Sequence, residues 1–392
     1  MTGNAGKVFS NLVQSIMHGD AMPTYSIEEL KRIIRKMEFN KTEPELLTEL
    51  VHRAIKVGGE EKERLKHVSK RSHKLFELLR DEGFFYQVEK NEDIETLKKI
   101  PAGAVDGSFQ VIGGIGGRWY VMIGVAQVIA ESGFTLQPTI FVDGSVEPLD
   151  SVDESDAYRS AEVTMMLGEI SALRRIVEKL RNRGESYVLI DGPIIDPPMY
   201  NEENYVEERV SALRLSYEEG INVIGFVKRI MGRSLLKRLR SEVEEDLIDF
   251  INDLDLLSTV MFDAVKSEGL PIYTYPVDLD EATSTYNAYK DKGLHIYYSY
   301  YKPSLRGRIF RIEYVSFKPL KEQELLEKFH RVMYLINQVW TLPGLDEPLL
   351  ITMAHNKCNV RRGAAETIYY EIMTKALSEG NLHLWFESLS QI

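Results

Sequence analysis

The stretch Ala104-Val105-Asp106-Gly107-Ser108 sets a carboxylate at the end of an apolar approach (Ile100, Pro101, Ala102), just before a glycine-rich apolar run from Phe109 to Ala130. The pattern predicts a buried strand carrying one acid, then a hairpin, then a second strand. An acid there is costly unless a metal, hydrogen bonds or water compensate it. Glycines 113, 114, 116 and 117 suit a tight turn between the strands. Asp-Gly is also a common turn dipeptide, so this stretch alone leaves a turn and a site equally open. The device recurs at Tyr187-Val188-Leu189-Ile190-Asp191-Gly192-Pro193, where a wholly apolar run of strand length fits burial on both faces. A further Val-Asp-Gly-Ser copy, Val142 to Ser145, lies among Glu147, Pro148, Asp150 and Asp153. Its context is turn-like, and Asp143 is expected in a hairpin or loop.

Around these acids the chain alternates strands and helices. Residues 1–95 read as a helical N-terminal region. Ser26 caps a helix with Glu28 and Glu29 in its first turn, and Leu30, Ile33, Ile34 and Met37 recur at helical spacing. A second helix is expected from Glu43 to Val57 with Leu46, Leu47, Leu50 and Val51 inward, followed by a charged helical stretch from Glu60 to Leu79 whose commoner meaning is a solvated face. Residues 96–392 form the remaining domain. Three strands are expected over 104–150, a helix from Ser155 to Arg181, and strands at 187–190 and 221–228. A helical insertion over about 235–270 precedes strands at 271–277, 294–301 and 308–316, and helices follow at 321–339 and 363–377. Arg311 and Glu313, on the last of these strands, are expected as a surface ion pair across its edge.

Composition narrows the classes. One cysteine, Cys358, excludes an intramolecular disulfide and a cysteine-cluster zinc site. No apolar run reaches a membrane span and the start lacks a clean signal-peptide core, so the expected compartment is the cytoplasm, with no membrane partner. A net charge of -12 argues against bulk, charge-driven nucleic-acid binding. Any such role must rest on local basic groups, the densest running from Lys228 and Arg229 through Arg233 to Arg240.

Two apolar strands that each end in an acid, an acid-bearing helix between them, and His355 after a late apolar run make a suggestive set. Hard divalent cations prefer carboxylate oxygens. Two such ions about 3.5–4 Å apart activate water and stabilise the leaving oxygen of a phosphodiester. A lone histidine beside an apolar run is more often structural, yet it can also ligate metal or carry a proton.

Taken in order, the segments Ala-Val-Asp106-Gly-Ser, Val-Leu-Ile-Asp191-Gly-Pro, Ile-Gly-Phe-Val-Lys228-Arg, Phe-Arg311-Ile-Glu-Tyr and Pro-Leu-Leu-Ile-Thr-Met-Ala-His355 resemble the NurA nucleases over roughly residues 100–378. The resemblance implies an α/β, RNase H-like mixed sheet flanked by helices and related to the PIWI domain. It implies a manganese-dependent nuclease, with magnesium as the alternative and two ions, acting on single- and double-stranded DNA as a 5′-to-3′ exonuclease and single-strand endonuclease. It further implies a homodimer that works with the hexameric HerA ATPase in DNA end resection and repair, chiefly in archaea. By position, Asp106, Asp191 and His355 become catalytic metal ligands. Glu169 is preferred to Glu162 as the helix ligand because it keeps a compact return to the Asp191 strand. Lys228, Arg229 and Arg233 become DNA contacts, with further basic groups over Arg306 to Arg311 and Lys357 to Arg362. Pro193 stands where the family more often has a Ser-Leu pair. Two other readings compete: a non-catalytic dimeric adaptor for a ring ATPase, and an RNase H-like phosphotransferase using the glycines near 113–117 as a phosphate loop.

Overall fold

The computed structural model describes residues 43–88, 93–113, 118–195, 202–230, 232–240, 243, 247, 250–269, 271–279 and 284–377. The chain divides into two compact units, residues 1–71 and 72–392. The cap expected at Ser26 and the helix over residues 30–37 lie outside the described residues. Helix α1 (Pro44–Asp81) is continuous where the sequence suggested two segments. Close-spaced pairs such as Arg53–Glu49 and Arg64–Glu61, each at 2.6 Å, line its solvated surface. Leu46 and Leu50, expected inward, are exposed. An apolar stripe at helical spacing marks a face able to pack, and it does not by itself supply the packing partner.

In the second unit, one mixed sheet of ten strands, counted among the described residues, organises everything else. Its strands are β1 (Phe85–Gln87), β2 (Ala102–Gly113), β3 (Trp119–Ala130), β4 (Thr139–Leu149), β5 (Ser186–Ile190), β6 (Ile221–Val227), β7 (Ile272–Thr274), β8 (Val277–Asp278), β9 (His295–Lys302) and β10 (Phe310–Ser316). They run β1-β7-β9-β10-β6-β5-β2-β3-β4, with β8 paired to β9. The antiparallel run β2-β3-β4 is joined in parallel by β5 on β2 and β6 on β5. That five-strand arrangement is the RNase H-like core. Strand β10 continues it antiparallel from β6 and leads to β9, β7 and β1.

The helices are α2 (Ile94–Leu97), α3 (Glu154–Leu180), α4 (Glu203–Glu218), α5 (Ser234–Leu239), α6 (Asp253–Glu268), α7 (Ser284–Lys290), α8 (Glu322–Tyr334), α9 (Leu349–Cys358) and α10 (Arg362–Leu377), with a π-helical turn, Leu335–Trp340, closing α8. Helices α3 and α4 make the crossovers from β4 to β5 and from β5 to β6, as parallel pairing requires. Helix α3 and helix α9 both pack on β2 and β3, so β3, an apolar twelve-residue strand, is buried along most of its length. Helices α5 and α6 supply the helical content expected over 235–270.

Three further expectations need correction. Residues 85–87, expected within the helical N-terminal region, form strand β1 paired to β7. Asp143 is not in a loop: β4 runs straight through it, paired opposite Val125, and its carboxylate meets Arg175 of α3 at the surface. A long cross-strand ladder outweighs the turn preference of Asp-Gly. Arg311 and Glu313 are not a surface pair: they stand 2.6 Å apart with side chains only 14% and 1% exposed, because β10 lies inside the sheet between β6 and β9. Gly113 ends β2, and residues 114–117 of the glycine cluster lie outside the described residues.

The start of α3 is set by Asp153, whose carboxylate accepts the Asp156 N–H at 2.9 Å. Asp153→Ala should lower unfolding stability by about 1 kcal/mol, read as a shift in the urea midpoint at unchanged slope.

Candidate metal centre

Parallel pairing places Val105 of β2 beside Ile190 of β5. The Asp191 N–H extends the ladder by one step to the Val105 carbonyl at 3.2 Å. The residues that follow, Asp106 and Asp191, therefore stand side by side. From α9, His355 Nδ1 lies 2.8 Å from Asp106 Oδ2 and 3.6 Å from Asp191 Oδ2. These three residues each offer a ligand atom within 4.8 Å of one another. The two carboxylates are 8% and 7% exposed, the imidazole 55%, so the acids form a floor and the histidine an open rim.

Alternation along β2 decides what reaches the acids. Asp106 and Ser108 point toward α9. The Ser108 hydroxyl donates to the Cys358 carbonyl at 2.6 Å and accepts the Val360 N–H at 2.8 Å, clasping the end of α9 one turn past His355. The Cys358 thiol reaches Asp106 Oδ2 at 3.4 Å. Burial, then the charge of Asp106, pushes that thiol well above its usual range, so it stays a neutral donor to the carboxylate. Gly107 faces the other way, toward α3. A Cβ at this position would stand 2.8 Å from Glu169 Oε1 and 2.8 Å from Met165 Cγ. The missing side chain is what lets the buried Glu169 lie against the strand next to Asp106.

The electrostatics follow from crowding two acids where little water reaches. Burial first, then the neighbouring Asp106, pushes the Asp191 carboxyl up to about 6, against the pull of Lys228 and His355. Lys228, just past the end of β6, sets its ammonium 2.8 Å from Asp191 and 2.8 Å from Glu347. Burial disfavours that ammonium, but the two carboxylates outweigh it and its pKa rises. Oxygen-rich and carrying one imidazole, the donor set suits a divalent cation, whose charge would offset the repulsion that Lys228 relieves on one side.

The structure thus brings Asp106, Asp191 and His355 together, while Glu169 stands outside that group, against Gly107 on the α3 side of the strand. Glu162 sits two turns earlier on α3 with its carboxyl raised by burial. Lys228 is committed to two carboxylates, while Arg229 and Arg233 are exposed beyond it. Arg311, expected among the basic groups near DNA, is buried away from the surface. Glu347 and Cys358 were missed from sequence. Glu347 stands in a loop with no periodicity, and Cys358 showed only as the lone cysteine.

Residues 102–360 match the NurA domain family, which is well over half of the chain. The chain belongs to the NurA family. Among solved structures, the NurA nuclease from Sulfolobus solfataricus is similar at 13% identity and a TM-score of 0.57, over 85% of this chain and 98% of that one. A NurA crystal structure with manganese is similar at 13% identity and a TM-score of 0.43, over 82% and 97% of the two chains. Endonuclease V from Bacillus subtilis follows at 11% identity and a TM-score of 0.32, over 76% and 92%. No curated protein matches in sequence. The likeness to the Sulfolobus solfataricus structure speaks for the fold alone, and the family assignment rests on the NurA domain match.

An acid whose pKa is higher folded than unfolded binds its proton more tightly in the folded state. For Asp191 that favours folding at low pH, and the advantage is lost as pH rises from about 4 to about 6. In chelator, Asp191→Asn should flatten the stability-versus-pH curve in this window by about 1–3 kcal/mol, measured by urea unfolding at stepped pH.

Proposed function

We propose that this NurA-family chain is a divalent-metal-dependent deoxyribonuclease. The observation that carries the reading is the convergence of two buried carboxylates and an imidazole within 4.8 Å. Keeping like charges together in a site of low exposure is costly without a compensating cation, and this weighs against the non-catalytic adaptor. Asp106, Asp191 and His355 would hold the metal, with Glu169 reaching the site from α3. Manganese is the favoured ion, with magnesium as the alternative, and two ions are proposed. When bound, such ions supply Lewis acidity toward a phosphodiester and lower the pKa of water.

The chain's own residues supply the rest. Asp106 fixes His355 through Nδ1, which holds the half-exposed ring in place at the rim of the site. Lys228 keeps a cation beside Asp191, where a phosphate would approach. Arg229 and Arg233 guide the backbone from the surface, a mode of contact that carries little sequence preference. This suits an enzyme that resects single- and double-stranded DNA as a 5′-to-3′ exonuclease and single-strand endonuclease. The same reading includes a homodimer working in the cytoplasm with a HerA-type hexameric ATPase during DNA repair. No helix among the described residues is long and apolar enough to cross a membrane.

Asp106→Ala and Asp191→Ala should each lower manganese-dependent cleavage of end-labelled DNA by about 100-fold or more, with circular dichroism unchanged. Cleavage at the parental rate by either purified variant would sink the proposal.

A further inference from the structure

Asp191 is the last residue tied to the sheet before the chain leaves it, so its direction depends on the loop that follows. Ile194 and Ile195 of that loop are buried, and the loop crosses over β6 at Gly225. A Cβ on Gly225 would lie 3.0 Å from the Gly192 carbonyl oxygen, 3.1 Å from Ile194 Cγ1 and 3.1 Å from Glu313 Oε2. A Cβ here would crowd the loop, so a residue without a side chain suits so close an approach.

Two buried ions grip the loop there. Glu313, paired in register with Gly225, accepts the Ile194 N–H at 2.6 Å on Oε2. Arg311 stands 2.6 Å from its other oxygen. From α4, the fully buried Arg209 donates through Nε to the Ile194 carbonyl at 3.2 Å and through Nη2 to the Pro193 carbonyl at 3.3 Å. Residue 194 is thus held by an anion at its N–H and a cation at its C=O. Hydrogen bonds from ionised groups are stronger and more directional than neutral ones. A sheet core has no need of them, since apolar side chains of similar volume pack with comparable stability. What the ions add is a fixed path for the backbone three residues after Asp191.

We propose that Arg209 and Glu313, with Gly225 beneath the loop, are positioning residues for Asp191. They touch neither metal nor substrate and act by locking the loop that aims this carboxylate at Asp106 and His355. The inference rests on the metal reading of the site. A ligand set held rigid binds its ion more tightly than one that must be ordered on binding.

The test uses the full chain. Mn2+ affinity is measured by calorimetry, Ile194 amide exchange is measured in chelator, and melting temperature is recorded beside both. Gly225→Ala, a mild overlap, and Arg209→Met should each weaken Mn2+ binding by about tenfold and speed Ile194 exchange. Glu313→Gln, which keeps an acceptor for the Ile194 N–H, should bind Mn2+ more tightly than Glu313→Leu even where the two melt alike. Faster Ile194 exchange with Mn2+ affinity unchanged across the series would overturn the clamp alone. Parental protein that binds no Mn2+ would overturn the metal reading, and the clamp's purpose with it.

Discussion

Two carboxylates on adjacent parallel strands repel each other, and much of the second unit is arranged around that repulsion. The β2–β5 ladder makes the encounter unavoidable, because its register sets Val105 against Ile190 and leaves an aspartate next on each strand. Lys228 answers from the end of β6, the strand on the far side of β5. His355 closes over the pair from a helix laid across β2 and β3. Lys228 offsets only part of the repulsion, since burial and Asp106 still hold the Asp191 carboxyl up.

Small residues make room where large ones would fill the core. Gly107 opens the strand to Glu169, and Ser108 uses its hydroxyl to fasten the far end of α9. The Asp-Gly-Ser sequence therefore does three things on successive residues. It presents a carboxylate to one face, clears the other face, and anchors the helix that carries His355. Strand alternation is what allows neighbours in sequence to serve opposite sides of the sheet.

The positive charge near the site is more tightly engaged than a basic run suggests. Lys228 bridges Asp191 and Glu347, and Arg311 neutralises a buried glutamate two strands from Asp191. That leaves Arg229, Arg233, Lys237 and Arg240 as the exposed members of the segment, within a protein of net charge -12. Attraction for a phosphate backbone would then be local to the rim of the site.

The sequence by itself determined the longer strands, most of the long helices between them and the placing of Asp106 and Asp191 at apolar strands, because periodicity and composition are local signals that strand burial imposes directly. It did not show the short strand β1 or that His355 rides on a helix. His355 was legible as a candidate, and the ordered motifs around it carried the family. Tertiary structure alone decided that Asp143 sits inside a long edge strand, that Arg311 and Glu313 are interior, and that Lys228 faces Glu347 across the site. Each of these depends on which distant segment becomes a neighbour. Pairing between segments far apart in the chain is settled by packing the whole sheet, and no local pattern of residues records it.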